Sequence, residues 1–146
     1  WEHAWSAETL ALAEGKPLKN IVVSAGDQQA VGELLVSRYG LEGGAIYQLG
    51  AVLRAMKLPE IAIDFKPTFT REQLVAKMES VKRYVLEQAR IRWKLSDAAH
   101  AILARKEWHD VASLADEVKH CVIPLSGPRP LDEAISSAGG VSSIMT

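Results

Sequence analysis

The sequence has one cysteine, Cys121, in 146 residues, so it carries no intrachain disulfide framework. It has no apolar run near the roughly 20 residues that a membrane-spanning helix needs. It lacks a strong charge of either sign: the formal net charge is −1, which gives no global attraction to nucleic acid or anionic lipid. Aromatics are sparse at 6%. What remains is ordinary globular material, 48% apolar and 24% charged, which argues against disorder. The lone thiol and the absence of a signal-peptide pattern at Trp1 make cytoplasm the expected compartment.

Charge is not evenly spread. Residues 1–65 hold five basic and eight acidic side chains, and residues 66–119 hold eleven basic and eight acidic. Helical periodicity divides at the same places. The expected organisation is an α+β chain: a β-rich subdomain, residues 1–65 plus 120–146, built as a small antiparallel sheet or barrel, with a helical subdomain, residues 66–119, inserted in it.

Local patterns support that division. Residues 5–14 read as a short helix stopped by Gly15. Leu18–Ser24 and Gln29–Ser37 read as a hairpin around Gly26-Asp27. Gly40 to Gly44 should break the second strand, and Ala45–Lys57 should then form one helix, since Ile46, Leu49, Leu53 and Met56 recur at helical spacing. Glu60–Lys66 alternates strictly, as a half-buried strand does. Thr70 and Gln73 match a capping box, followed by a helical stripe from Leu74 through Met78 and Val81 to Val85. Helices are expected over Val85–Trp93, Ala98–Lys106 and Val111–His120, and a β-prone run over Cys121–Leu125. Leu131–Val141 fits either a helical turn or a strand.

Few motifs carry chemistry. The glycine loop Gly40-x-x-Gly43-Gly44 leads from a strand to a helix, where backbone N–H groups favour anions. It is neither a dinucleotide fingerprint nor a P-loop, and a tight turn explains it more simply. The four histidines lack metal-ligand spacing, and His120-Cys121 are poorly placed to chelate one ion, so no metal is expected. Cys121 reads as a small core residue. Glu42, Glu60 and Asp64 have no local pairing for acid–base work. No catalytic residue is assigned. Lys82–Lys94 holds five basic residues and one acid with Tyr84 and Trp93 interleaved. As a stand-alone binding module the chain would use this helix for RNA or an acidic partner. A solvated helix face with its aromatics in the core is favoured over that reading, and nucleic acid is not the expected partner.

Two blocks resemble a known family. One is Pro17-Leu18-Lys19-Asn20 with Gly32 through Tyr47, including Ser37-Arg38-Tyr39-Gly40-Leu41-Glu42-Gly43-Gly44. The other is Arg129-Pro130-Leu131-Asp132-Glu133-Ala134-Ile135-Ser136-Ser137-Ala138-Gly139-Gly140-Val141. In content, order and spacing they resemble the BaiN-like flavoproteins, often labelled NAD(FAD)-utilising dehydrogenases. The resemblance spans roughly residues 5–146 and is specific in these two blocks. In that family a Rossmann-like FAD domain is split by an insert of a small β-barrel and a helical subdomain. The resemblance implies that this chain is that insert, a fragment of an FAD-dependent, NAD(P)H-linked oxidoreductase with both flavin-binding parts elsewhere in the parent chain. It implies FAD in the parent and none on this chain alone, no activity in isolation, and two partners: the parent's Rossmann-like flavin domain and a small-molecule substrate. By analogy Gly139, Gly140 and Val141 lie near the flavin, and Arg38, Tyr39, Gly40, Gly43 and Gly44 face the flavin or substrate cleft. The family often has Thr-His-x-Gly-Leu-Ser-Gly-Pro at the second of these places. The histidine is absent here, so no role passes to Arg38 from it.

Overall fold

The computed structural model describes residues 1–128. Its elements are α1 (Ala7–Ala13), β1 (Pro17–Ala25), β2 (Gln28–Ser37), β3 (Gly40–Glu42), α2 (Gly44–Gln48), α3 (Gly50–Ala55), β4 (Glu60–Asp64), α4 (Arg71–Lys77), α5 (Val85–Arg92), α6 (Asp97–Leu103), α7 (Val111–Lys119) and β5 (Cys121–Pro124). The α+β expectation holds. All five strands join one antiparallel sheet, in the order β3-β2-β1-β4-β5.

The hairpin forms as its sequence predicts, with Ala25 opposite Gln28. The ladder slips between Leu18 and Ile21, where Lys19 and Asn20 leave the register as a bulge, with Asn20 at φ 56°. The strict alternation of Glu60–Asp64 buries Ile61 and Ile63 and leaves Glu60 exposed.

Four expectations are corrected. β2 does stop at Ser37, but the loop after it does not leave the sheet: the chain turns at Arg38-Tyr39, and Gly40–Glu42 pair with Leu35–Ser37 as β3. The single helix over Ala45–Lys57 is two, α2 and α3, with Leu49 between them at φ −93°, ψ 2°. Gly50 opens the second helix, and a glycine inside a helix weakens it. The stripe from Leu74 to Val85 does not continue as one helix. α4 ends at Lys77 with Met78 as its C-cap, and Tyr84, left-handed at φ 54°, is the N-cap from which α5 starts anew. The third helix of this region ends at Leu103, with Ala104 as its C-cap, short of Lys106.

The caps follow the sequence. Ser6, Thr70, Ser96 and Asp110 each accept a backbone N–H three residues on, and Thr70–Gln73 form the full capping box. Leu18, Ile21, Val23, Leu34, Ile61 and Ile63 from the sheet join Leu74, Trp93, Ile102, Leu114 and Val118 from the helices in one buried cluster. Trp93 is 2% exposed, and its indole N–H donates to the Leu74 carbonyl at 2.9 Å, tying α5 to α4.

The sheet is not closed strand to strand. Residues 1–3 lie across the gap. Glu2 makes antiparallel bridges to Gly40 on one edge and to Gly127, just beyond β5, on the other. The Glu2 N–H donates to Gly127 at 2.7 Å, and the Ser126 N–H returns to Glu2 at 2.8 Å. On the other side the His3 N–H donates to Tyr39 and the Leu41 N–H to Trp1, both at 2.9 Å. Segments far apart in sequence thus satisfy each other's edge groups.

Candidate functional site

The glycine loop is built by the turn from β2 into β3. The Ser37 hydroxyl accepts the N–H groups of Tyr39 and Gly40, at 3.3 and 3.2 Å. Such side-chain capping of a turn is the usual work of serine. The Arg38 guanidinium lies 5.7 Å from the centre of the Tyr39 ring, within cation–π range.

Two of the glycines are required by the protein's own backbone. A Cβ on Gly40 would come within 2.6 Å of the His3 nitrogen. A Cβ on Gly43, at φ 116°, would come within 2.6 Å of the Glu33 carbonyl oxygen. Their close approaches are to residues 1–3 and to β2, the simpler of the two explanations for the loop. Gly44 differs: nothing lies within 4 Å of where its Cβ would be.

That open space belongs to a cleft of about 830 Å³ between β3, α2 and α3. Trp1, Glu42, Gly44, Tyr47, Arg54 and Pro128 are among its lining residues. Of the five residues expected at a substrate cleft, Gly43 and Gly44 line it, and Arg38, Tyr39 and Gly40 do not. Gly139, Gly140 and Val141 lie outside the described residues. Tyr47 and Arg54 were not expected. The signal for Tyr47 was present: a tyrosine one turn after a glycine pair, out of phase with Ile46 and Leu49, is left facing outward, and it is 87% exposed.

The cleft offers a carboxylate, a guanidinium and a phenol, without histidine, cysteine or serine. It can bind and orient a polar molecule, but it holds no nucleophile–base pair. The described residues contain no strand-to-helix Gly-x-Gly-x-x-Gly turn.

The remaining reactive groups are occupied. Cys121 is fully buried, and burial first, then the Glu117 carboxylate, push its thiol up to about 12. At neutral pH it carries no thiolate and is no nucleophile. His3 is held below the ordinary imidazole range by burial, against the opposing effect of the Pro124 carbonyl, to which Nδ1 donates at 2.6 Å. Asp64 pairs with Lys119 at 2.8 Å, while Glu42 and Glu60 are exposed on different strands. Among the described residues no group of three or more His, Cys, Asp or Glu side chains is placed to hold a metal ion. No helix among them is long and apolar enough to cross a membrane.

The basic stretch Lys82–Lys94 is not a stacking platform. Trp93 is in the core, leaving Tyr84 as its exposed aromatic. Arg90 pairs with Asp97, and Arg92 donates to the Lys77 carbonyl.

The sequence that builds this sheet and these helices matches a family model. Residues 2–136 match the model described as "HI0933-like protein barrel and H2TH domain". The chain belongs to that family. The HI0933-like domain is a flavoprotein insert region, which agrees with the coarser part of the resemblance read from the two sequence blocks. No curated protein matches the chain in sequence.

Proposed function

We propose that this chain is the insert region of an FAD-dependent, BaiN-like oxidoreductase and that it roofs the cleft between flavin and substrate. In this reading residues 1–65 with 120–146 form the part nearer the flavin, and residues 66–119 form a helical outwork. The parent's Rossmann-like domain holds FAD, and the insert supplies binding surface and excludes water from the reduced flavin. The chain alone binds no flavin and catalyses nothing.

One observation supports the reading above the others. The chain reaches its sheet at Glu2 and leaves it at Gly127 through directly hydrogen-bonded backbone. A domain with adjacent entry and exit can sit within a host domain without straining it. The cleft at Gly44 opens beside that junction, since Trp1 and Pro128 both line it. An 87% exposed tyrosine at its mouth is apolar area suited to cover by a second domain.

The test compares this chain with the full-length parent. The parent should purify yellow, with one flavin per chain, and the isolated chain colourless. In the parent, Tyr47→Ala should increase iodide quenching of the flavin's fluorescence, because the roof fits less closely. Stoichiometric flavin on the isolated chain, or unchanged quenching in Tyr47→Ala, would overturn the roofing role.

A further inference from the structure

A second cleft, of about 550 Å³, shares no lining residue with the one at Gly44. It lies where the first half of β1, the end of β4 and the link between α5 and α6 meet. Its floor is apolar, with Leu18, Ile21, Phe65 and Leu95 all buried. Lys16, Lys19, Lys66 and Lys94 surround it, against one carboxylate, Asp97. That carboxylate is already taken by Lys16 at 3.0 Å and by Arg90 at 2.5 Å. Lys19, Lys66 and Lys94 form no ion pair among the described residues.

We propose that this cleft is a binding site for a small phosphate-bearing molecule of nucleotide size, its organic part on the apolar floor and its phosphates among Lys19, Lys66 and Lys94. The volume lies within the range of small-molecule sites, and converging cations over an apolar floor suit a ligand with one charged and one flat end.

The backbone supports this independently of the charges. The described residues contain three non-glycine positions with positive φ, and two of them, Asn20 at 56° and Lys94 at 54°, line this cleft from opposite elements. At Lys94 the left-handed backbone closes α5, where the Leu95 N–H donates to the Arg90 carbonyl at 3.0 Å; at Asn20 it falls within a strand, where it is costly for a side-chain-bearing residue. Asn20 stands in the bulge of β1, and bulges re-aim side chains beside such sites. Lys66 is bound in place, its ammonium donating to the Lys94 carbonyl at 2.9 Å. Burial, then the Lys94 charge, hold Lys66 below the ordinary lysine range, a repulsion that a bound anion would relieve. The site does not depend on the flavin reading: it can be present in a chain that roofs no flavin, and absent from one that does.

The experiment is calorimetric titration of the full chain at low salt with ADP, inorganic pyrophosphate and adenosine, alongside amide NMR shifts. ADP should saturate one site and shift Lys19, Asn20, Lys66 and Lys94. Pyrophosphate should bind more weakly and adenosine not at all. Lys66→Gln combined with Lys94→Gln should weaken ADP at least tenfold, and Lys82→Gln, outside the cleft, should leave it unchanged. If the double variant fails to fold, Lys19→Gln, at an exposed position, should still weaken ADP severalfold. No saturable binding of ADP or pyrophosphate overturns the proposal. So does equal weakening by Lys82→Gln, or binding of a generic RNA alone, which would mark a diffuse basic face.

Discussion

The indole of Trp5 donates its N–H to the carbonyl of Gly40 at 2.9 Å, across 35 positions of sequence, and Trp5 is buried. This bond ties the segment before α1 to the strand that residues 1–3 bridge. Trp5→Phe keeps most of the packing but leaves that carbonyl one donor short, so it should cost about 1–3 kcal/mol in urea unfolding.

Gly40 and Gly44 should respond in opposite directions to the same substitution. Gly40→Ala drives a methyl group into the backbone of residues 1–3 and should destabilise by more than about 3 kcal/mol, as strain and overpacking combine. Gly44→Ala meets open space at the start of α2 and should be neutral or stabilising by up to about 1 kcal/mol. Equal effects would mean that the loop glycines are interchangeable.

Cys121 should be silent to thiol reagents in the native protein. With its thiol near 12 and its side chain fully buried, labelling by a chromogenic disulfide at pH 8 should be slow. It should become complete within minutes in denaturant. Rapid native labelling would show that β5 opens readily.

Acidification should destabilise the protein in two windows. His3 and His100 both have folded-state values below the ordinary 6.5, each through burial first. Below 6.5 the unfolded chain therefore binds protons that the folded chain refuses, and stability falls as pH falls toward the folded values. His3→Asn and His100→Gln should flatten the thermal midpoint between pH 7 and pH 5. Asp97, held down by its hydrogen bond from Lys16, and Asp110, held down by Ser113, give a second loss below their ordinary 3.8. That loss should shrink in high salt for Asp97, whose partners are exposed charges.

Much of the fold was legible because its signals were local. The alternation of Glu60–Lys66, the Thr70–Gln73 box and the Gly26-Asp27 hairpin need only nearest neighbours. β3 was not legible, since Gly40 looks like a breaker until the partner strand and residues 1–3 are present to pair with it. The break at Leu49 was hidden by Leu53 and Met56, which continue the apolar period through two helices. The Gly44 cleft was half legible. Gly43 and Gly44 stand out in sequence, but Arg54 enters from α3 and Trp1 from 43 residues before Gly44, placements set by tertiary contact alone. The lysine cleft was invisible for the same reason: its cations come from three separate stretches, and the one run that looked basic, Lys82–Lys94, contributes to it only Lys94.

The placement of Glu2 between Gly40 and Gly127 also fixes an order of events during synthesis. During synthesis Gly127 emerges 125 residues after Glu2. β1, β2 and β3 can pair as soon as they clear the exit tunnel, and residues 1–3 can dock on Gly40 then, but their other side stays unpaired until β5 has been made. Contacts of such sequence separation are the slow ones in folding. While the intervening residues are being made, the segment at Glu2 therefore stays half satisfied, and its second edge is paired only when the stretch at Gly127 arrives.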